Sequence, residues 1–288
     1  MIMKNYSKIL LFVFFSMLIF TNCEDEILDK KPRETFSEVD IWNDIENVKR
    51  YVWTNYNALG EWYMGVTNYA FLGMPAAWTD DVFCIFNYGM REYNTGILSP
   101  DAMGRLEPRW SDRFMYIRNI NIFLSRIDEV DADENEKRRL KGEMKFLRAF
   151  CYADLISLFG GVPLITGVFE LDQDFAVPRE SYATCLTFVL SELDAAKDMV
   201  PPIVPDDEWG RITKGAVLSL KSRVLLYAAS KIYEPGVAPT GPLWDYDKDT
   251  KWKDAADAAK AVIDLDYSLV EVDDWKDYQT IFLHPHDE

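Results

Sequence analysis

Histidine is nearly missing from this chain: there are two, His284 and His286, both at the very end. A His-x-His pair can ligate a metal on a strand or turn. Only Asp287 and Glu288 stand beside it, so the pair reads as a solvated end. Catalysis that leans on histidine therefore has little to draw on. The sequence also lacks a glycine-rich phosphate loop, an HExxH helix and a nucleophile elbow. Cysteine is scarce: of four, Cys23 follows an N-terminal apolar run, which leaves Cys84, Cys151 and Cys185, odd in number and far apart. That excludes a disulfide framework or a zinc knuckle, and Cys151 and Cys185 read as small core residues. Positive charge is in deficit, with a net of -17 and a pI near 4.6, so a phosphate backbone would be repelled. Apart from Ile9 to Phe20 there is no long apolar run, and that one is too short to span a bilayer comfortably. What is present is ample material for a core, at 49% hydrophobic and 14% aromatic residues, which excludes global disorder.

Most of the chain reads as helix and long loop. Ile41, Ile45, Val48, Val52 and Tyr56 recur at spacings of three and four and predict a helix over about 39–59, with Asp40 or Ser37 as its cap. A second helix, about 107–130, puts Trp110, Phe114, Ile117, Ile120, Phe123, Leu124 and Ile127 on a broad apolar face. A third continues to Phe159, with Leu140, Met144, Leu147, Cys151, Leu155 and Leu158 in a stripe widened by Phe146 and Phe150, and so is predicted to be buried on more than one side. Gly160-Gly161 and Pro163 stop it. Helices over about 182–199, 213–233 and 252–263 follow. The last two mix Gly215, Ala216, Ser219 and the alanines of 255–259 with large apolar residues including Tyr227, a texture that lets helices approach closely. The pattern is like stacked tetratricopeptide hairpins, with an irregular period.

The run GEMKFLRAFCYADLISLFGGVPLIT, Gly142 to Thr166, closely resembles the signature helix of the SusD/RagB family of outer-membrane nutrient-binding lipoproteins. LDKKP around Asp29 and Pro32, RITKGAVLSLKSRVLLYAAS over Arg211 to Ser230, and WKDAADAAKAVID over Trp252 to Asp264 are similar to further family segments and occur in family order. The resemblance implies an all-α, SusD-like fold of tetratricopeptide-like hairpins with long irregular loops. It also implies a protein that binds oligosaccharide, performs no chemistry, uses no cofactor and delivers its ligand to a SusC-like TonB-dependent transporter. SusD-like proteins are considerably longer than this chain, which ends at Glu288 without a cap or polar tail, so the sequence reads as an N-terminal portion of one.

The N-terminus agrees with export. Lys4 and Lys8 precede the short apolar run, and Thr21-Asn22-Cys23 follows it. Residues 1–22 read as a signal peptide, Cys23 as a lipid-modified first residue and 23–37 as an acidic tether, ahead of a helical domain over 38–288. Glu24, Asp25 and Glu26 resemble the signal that takes Bacteroidota lipoproteins to the cell surface.

Aromatic side chains interleaved with amide, carboxylate and guanidinium groups suit sugars, which present apolar faces and hydroxyl edges. The stretch between Trp62 and Arg109 has that character, and loops in this position contribute to the glycan site in proteins resembling this one. Trp78, Asp81, Asn87, Tyr88, Arg91 and Tyr93 are the ligand candidates there. Trp244 and Tyr246, in the loop from Glu234 to Thr250, are a second set. For each ring the competing reading is that it pins a loop to the core. Asp80 and Asp81 are a carboxylate pair, but neighbours on an extended segment point to opposite faces and do not flank one bond, which disfavours a glycosidase. The competing function is a helical scaffold that holds a protein partner without glycan affinity.

Overall fold

In a computed structural model of the chain, the residues described are 41–60, 79–81, 83, 93, 95–99, 101–104, 106–170, 172–173, 175–237, 241–265 and 267–283. Helix α1, Ile45–Asn55, starts where the Asp44 carboxylate accepts from the Glu46 amide at 3.0 Å. It is shorter than its periodicity predicts. Asp44 has extended backbone, φ -142° and ψ 121°, so Ile41 and Trp42 fall in a separate turn before it. The expected caps Asp40 and Ser37 lie outside the described residues. Helix α2, Leu106–Arg126, tightens into a 3-10 turn at Ile127–Glu129. Helix α3, Glu134–Phe159, begins under Asp133, which accepts from the Asn135 and Glu136 amides.

Helices α4, Tyr182–Ala196, and α5, Lys214–Ala229, are capped by Ser181 and Thr213 respectively. They are followed by α6, Lys251–Ile263, and α7, Trp275–Leu283. From α2 to α6 each helix packs on the next in sequence, and α3 also meets α1 and α5. The architecture is all-helical among the described residues, a stack of consecutive hairpins, as the tetratricopeptide-like texture predicts.

The core lies around α3. Leu140, Met144, Leu147, Cys151 and Leu155 are buried, and Phe146 on a further face is buried as well. Cys151 and Cys185 are free, buried thiols. The Cys185 thiol donates to the Val162 carbonyl at 3.4 Å. Tyr227 and Ser219 are exposed. On α5 the buried positions are Val217, Leu220, Val224, Leu225 and Ala228, and Tyr227 falls outside that stripe.

Because α3 is enclosed, Lys137, Glu143, Arg148 and Asp154 on it are buried as well. Asp154 takes Arg113 Nε at 2.5 Å and Arg109 Nε at 2.6 Å, with Arg113 fully buried and Asp154 1% exposed. Arg113 also donates to the Ala58 carbonyl at 2.9 Å, which holds the short turn Asn57–Gly60 against α2. Arg148 pairs with Glu192 on α4 and donates to Asn121 on α2 at 2.7 Å. Asn121 in turn donates to the Ile165 and Gly167 carbonyls and fixes the exit from α3. Glu143 accepts from the Tyr56 hydroxyl at 2.8 Å and from Arg211 at 2.7 Å. Burial pushes the Glu143 carboxyl up, and Arg211 with the Tyr56 hydroxyl pulls it back only in part.

The end of α3 depends on two glycines. Gly160 has φ 71°, a left-handed conformation that side chains disfavour. At Gly161 a Cβ would sit 1.9 Å from the Glu180 carbonyl oxygen. Arg179 covers the helix end, donating to the Gly161 carbonyl at 2.6 Å and to the Phe159 carbonyl.

Two stability predictions follow from these contacts. Asp154→Asn leaves Arg113 buried without its charge partner and should cost about 3–5 kcal/mol in urea unfolding. Gly161→Ala forces backbone apart and should cost about 1–3 kcal/mol, whereas Gly167→Ala, where a Cβ meets nothing within 4 Å, should change stability little in the same assay.

Candidate functional site

The aromatic loop after α5 is built onto the end of α3 by close backbone contact. The Gly161 amide donates to the Leu243 carbonyl at 2.5 Å, Tyr182 N to the Pro242 carbonyl at 3.0 Å and Tyr246 N to the Tyr233 carbonyl at 2.6 Å. The glycine at 160 makes room for this: a Cβ there would lie 2.9 Å from the Trp244 ring. Aromatic rings complete the attachment. Tyr182 stacks on Tyr233 at 4.1 Å between centroids, and Trp244 lies nearly parallel to Tyr233 at 6.4 Å. Burial raises the Tyr182 hydroxyl well above the usual phenol range.

Trp244 and Tyr246 are both half-buried and packed against the core. They differ in what else they reach. Trp244 faces Gly160 and Tyr233, while Tyr246 forms part of the wall of an open groove of about 400 Å³ between α4, α5, α6 and the loop. The floor of this groove is apolar, made by Leu190, Leu225 and Ala258 among others. Its rim is charged. Lys221 contacts Asp194 at 2.7 Å, Lys197 the same Asp194 oxygen at 2.8 Å, and Lys248 contacts Asp254 at 2.6 Å. Asp194 is held below the usual carboxylate range: burial raises it, but the hydrogen bonds from Lys197 and Lys221 outweigh that. The Asp254 carboxyl is held low chiefly by its bond from Lys248.

Of the first set of ligand candidates, Asp81 and Tyr93 are described. Asp80 and Asp81 are exposed, and Asp81 makes a local turn with Thr79, whose hydroxyl accepts from the Asp81 amide at 3.2 Å. Tyr93 is half-buried and donates from its hydroxyl to the Met103 carbonyl at 3.2 Å. Trp78, Asn87, Tyr88 and Arg91 lie outside the described residues, as do Cys23, Cys84, His284 and His286. The groove therefore brings together Tyr246 and a set of lysines that the sequence reading passed over. No local signal marks them, because lysine is common on exposed helix faces and Asp194 and Lys221 meet only when α4 and α5 pack.

Three kinds of likeness bear on this arrangement. Residues 26–226 match the model of a SusD-like family described as starch-binding and associating with the outer membrane. SusD-like protein P25 of Formosa agariphila is 29% identical over 227 residues, which is 75% of this chain and 42% of that protein. SusD-like protein P38 of the same organism is 26% identical, again over 42% of its length. The chain thus spans less than half of these curated relatives. Among solved structures, a SusD-like protein from Bacteroides fragilis superposes with a TM-score of 0.65 at 28% identity, over 88% of this chain and 44% of that one. A laminarin-binding SusD-like protein shares the fold with a TM-score of 0.64 at 21% identity, over 85% of this chain and 50% of its own. The family match runs from ahead of α1 into α5, through the paired charges of α3 and the two glycines at its end, and the same helical stack recurs in the solved relatives. The chain belongs to the SusD-like family.

Proposed function

We propose that this chain is the helical-repeat portion of a surface glycan-binding lipoprotein that captures oligosaccharide and passes it to a TonB-dependent outer-membrane transporter. The observation that carries the proposal is the match over residues 26–226 to a family described as starch-binding and associating with the outer membrane. In this reading residues 1–22 direct export, a lipid on Cys23 holds the protein to the outer membrane facing outward, and 23–37 is the tether. Binding and handover are the whole function, with no bond made or broken. Aromatic rings from Trp78, Tyr88 and Tyr93 offer faces to sugar C–H groups, with Asp81, Asn87 and Arg91 hydrogen-bonding hydroxyls and Trp244 and Tyr246 contributing from the second loop. The stacked hairpins supply a rigid surface for a transporter.

A scaffold without glycan affinity is favoured by one feature. Trp244, a ligand candidate, is engaged with Gly160 and Tyr233, as a structural ring would be. Affinity electrophoresis on laminarin and starch, together with co-purification of the transporter, separates the two. Glycan binding predicts retention that Trp78→Ala or Tyr88→Ala weakens about ten-fold, the loss of one stacking platform. Unchanged retention in these variants and in Tyr93→Ala would remove the site assignment, and transporter association with no retention on any polysaccharide would leave the scaffold.

A further inference from the structure

The groove walled by Tyr246 carries a charge arrangement out of keeping with the rest of the chain. The protein is strongly acidic, at -17 overall. Yet three lysines, Lys197, Lys221 and Lys248, line one groove. The carboxylates that face it are accounted for. Asp254 is bonded to Lys248 at 2.6 Å, and Asp257 to Lys253 at 2.5 Å. Asp194 alone serves both Lys197 and Lys221, and the two ammonium groups share its Oδ1 oxygen. Asp198, next to Lys197 in sequence, is exposed, and its negative charge also acts on the Lys197 ammonium.

An ammonium group has three N–H donors. Lys197 gives one to Asp194, Lys248 gives one to Asp254, and both of the Lys221 contacts go to the same carboxylate. Donors therefore remain on all three. The lysines are one-quarter to one-half exposed, so a ligand reaches them without unfolding anything. Beside them lie the Tyr246 ring and an apolar floor of Leu190, Leu218 and Leu225. An aromatic face, an apolar floor and unspent cationic donors in a space of about 400 Å³ suit one class of molecule: a sugar ring that carries negative charge.

We propose that this groove is a subsite for an anionic saccharide, its charge a ring carboxylate or a sulfate ester, held by Lys197 and Lys221 at the Asp194 corner with Tyr246 against the ring. The anion becomes a second acceptor for the two ammonium groups. Binding is an exchange of hydrogen-bond partners, with no proton transferred. The proposal rests on the saccharide-binding reading above, but places charged sugars here rather than at Trp78 and Tyr88.

Calorimetric titration of the 288-residue chain with tetragalacturonate, a sulfated galactan tetrasaccharide and laminaritetraose tests it. At least one anionic ligand should bind, and Lys197→Gln or Lys221→Gln should each weaken it about ten-fold, the loss of a charge-assisted hydrogen bond. Binding should also fall as salt rises. Whichever anionic probe shows the lysine-dependent loss identifies the charge as carboxylate or sulfate. Both variants remove a partly exposed charge, and unchanged thermal melting checks that they fold. If neither anionic ligand binds while laminaritetraose does, the subsite is wrong and the saccharide reading stands. If none of the three binds, both fail. Anion binding that neither lysine variant alters also overturns the subsite.

Discussion

A carboxylate inside a helical stack has to meet a cation there, and Asp154 does so with Arg113, both almost wholly removed from solvent. Much else is organised by that requirement. Glu143 and Asp154 are about three turns apart on α3 and so share a face, while Arg148 points elsewhere. Each needs a partner on a different neighbour: Arg211 and Tyr56 for Glu143, Glu192 on α4 for Arg148, and α2 for Asp154. An apolar stripe alone would tolerate a helix sliding by a turn. Three buried charges with partners on separate elements do not, because a slip strands at least one of them. The hydrophobic core supplies the drive to assemble, and the charges set the register.

Helix existence was legible because the apolar spacing is regular, as Val48 and Val52 on α1 and Ile117, Ile120 and Phe123 on α2 illustrate. Boundaries were less so. The periodicity of α1 extends back to Ile41, but the cap is Asp44, whose extended backbone interrupts the pattern without disturbing its hydrophobic content. Tyr227, one of the large apolar residues of α5, is exposed, since the buried face of α5 is set by what packs on it. The buried charges are the hardest case. A glutamate, an arginine and an aspartate on a helix ordinarily mark a solvated side, and only the surrounding helices reveal that Glu143, Arg148 and Asp154 are inside.

The same division holds at the site. Composition picked out the loop containing Trp244 and Tyr246, yet it could not separate a ring packed on Gly160 from one that walls a groove. Gly160-Gly161 reads from sequence as a helix stop, and it is one. Its second property, allowing another chain segment to lie directly on the backbone, depends on residues around position 243 that no local window contains. Lys197, Lys221 and Asp194 likewise form a cluster only through the packing of α4 on α5.

That backbone contact also ranks the parts of the molecule by persistence. The loop at Leu243 is fastened to the end of α3 through Gly161, to the start of α4 through Tyr182, and to the exit of α5 through Tyr233. Its own hydrogen bonds close one local turn, from Gly241 to Asp245. Any opening that frees α4 or α5 must release the loop, whereas the loop can lift off while both helices stay in place. Amide protons on its backbone should therefore exchange no more slowly than those of the helices beneath it. The Tyr246 wall of the groove then opens at least as readily as the helices beneath it.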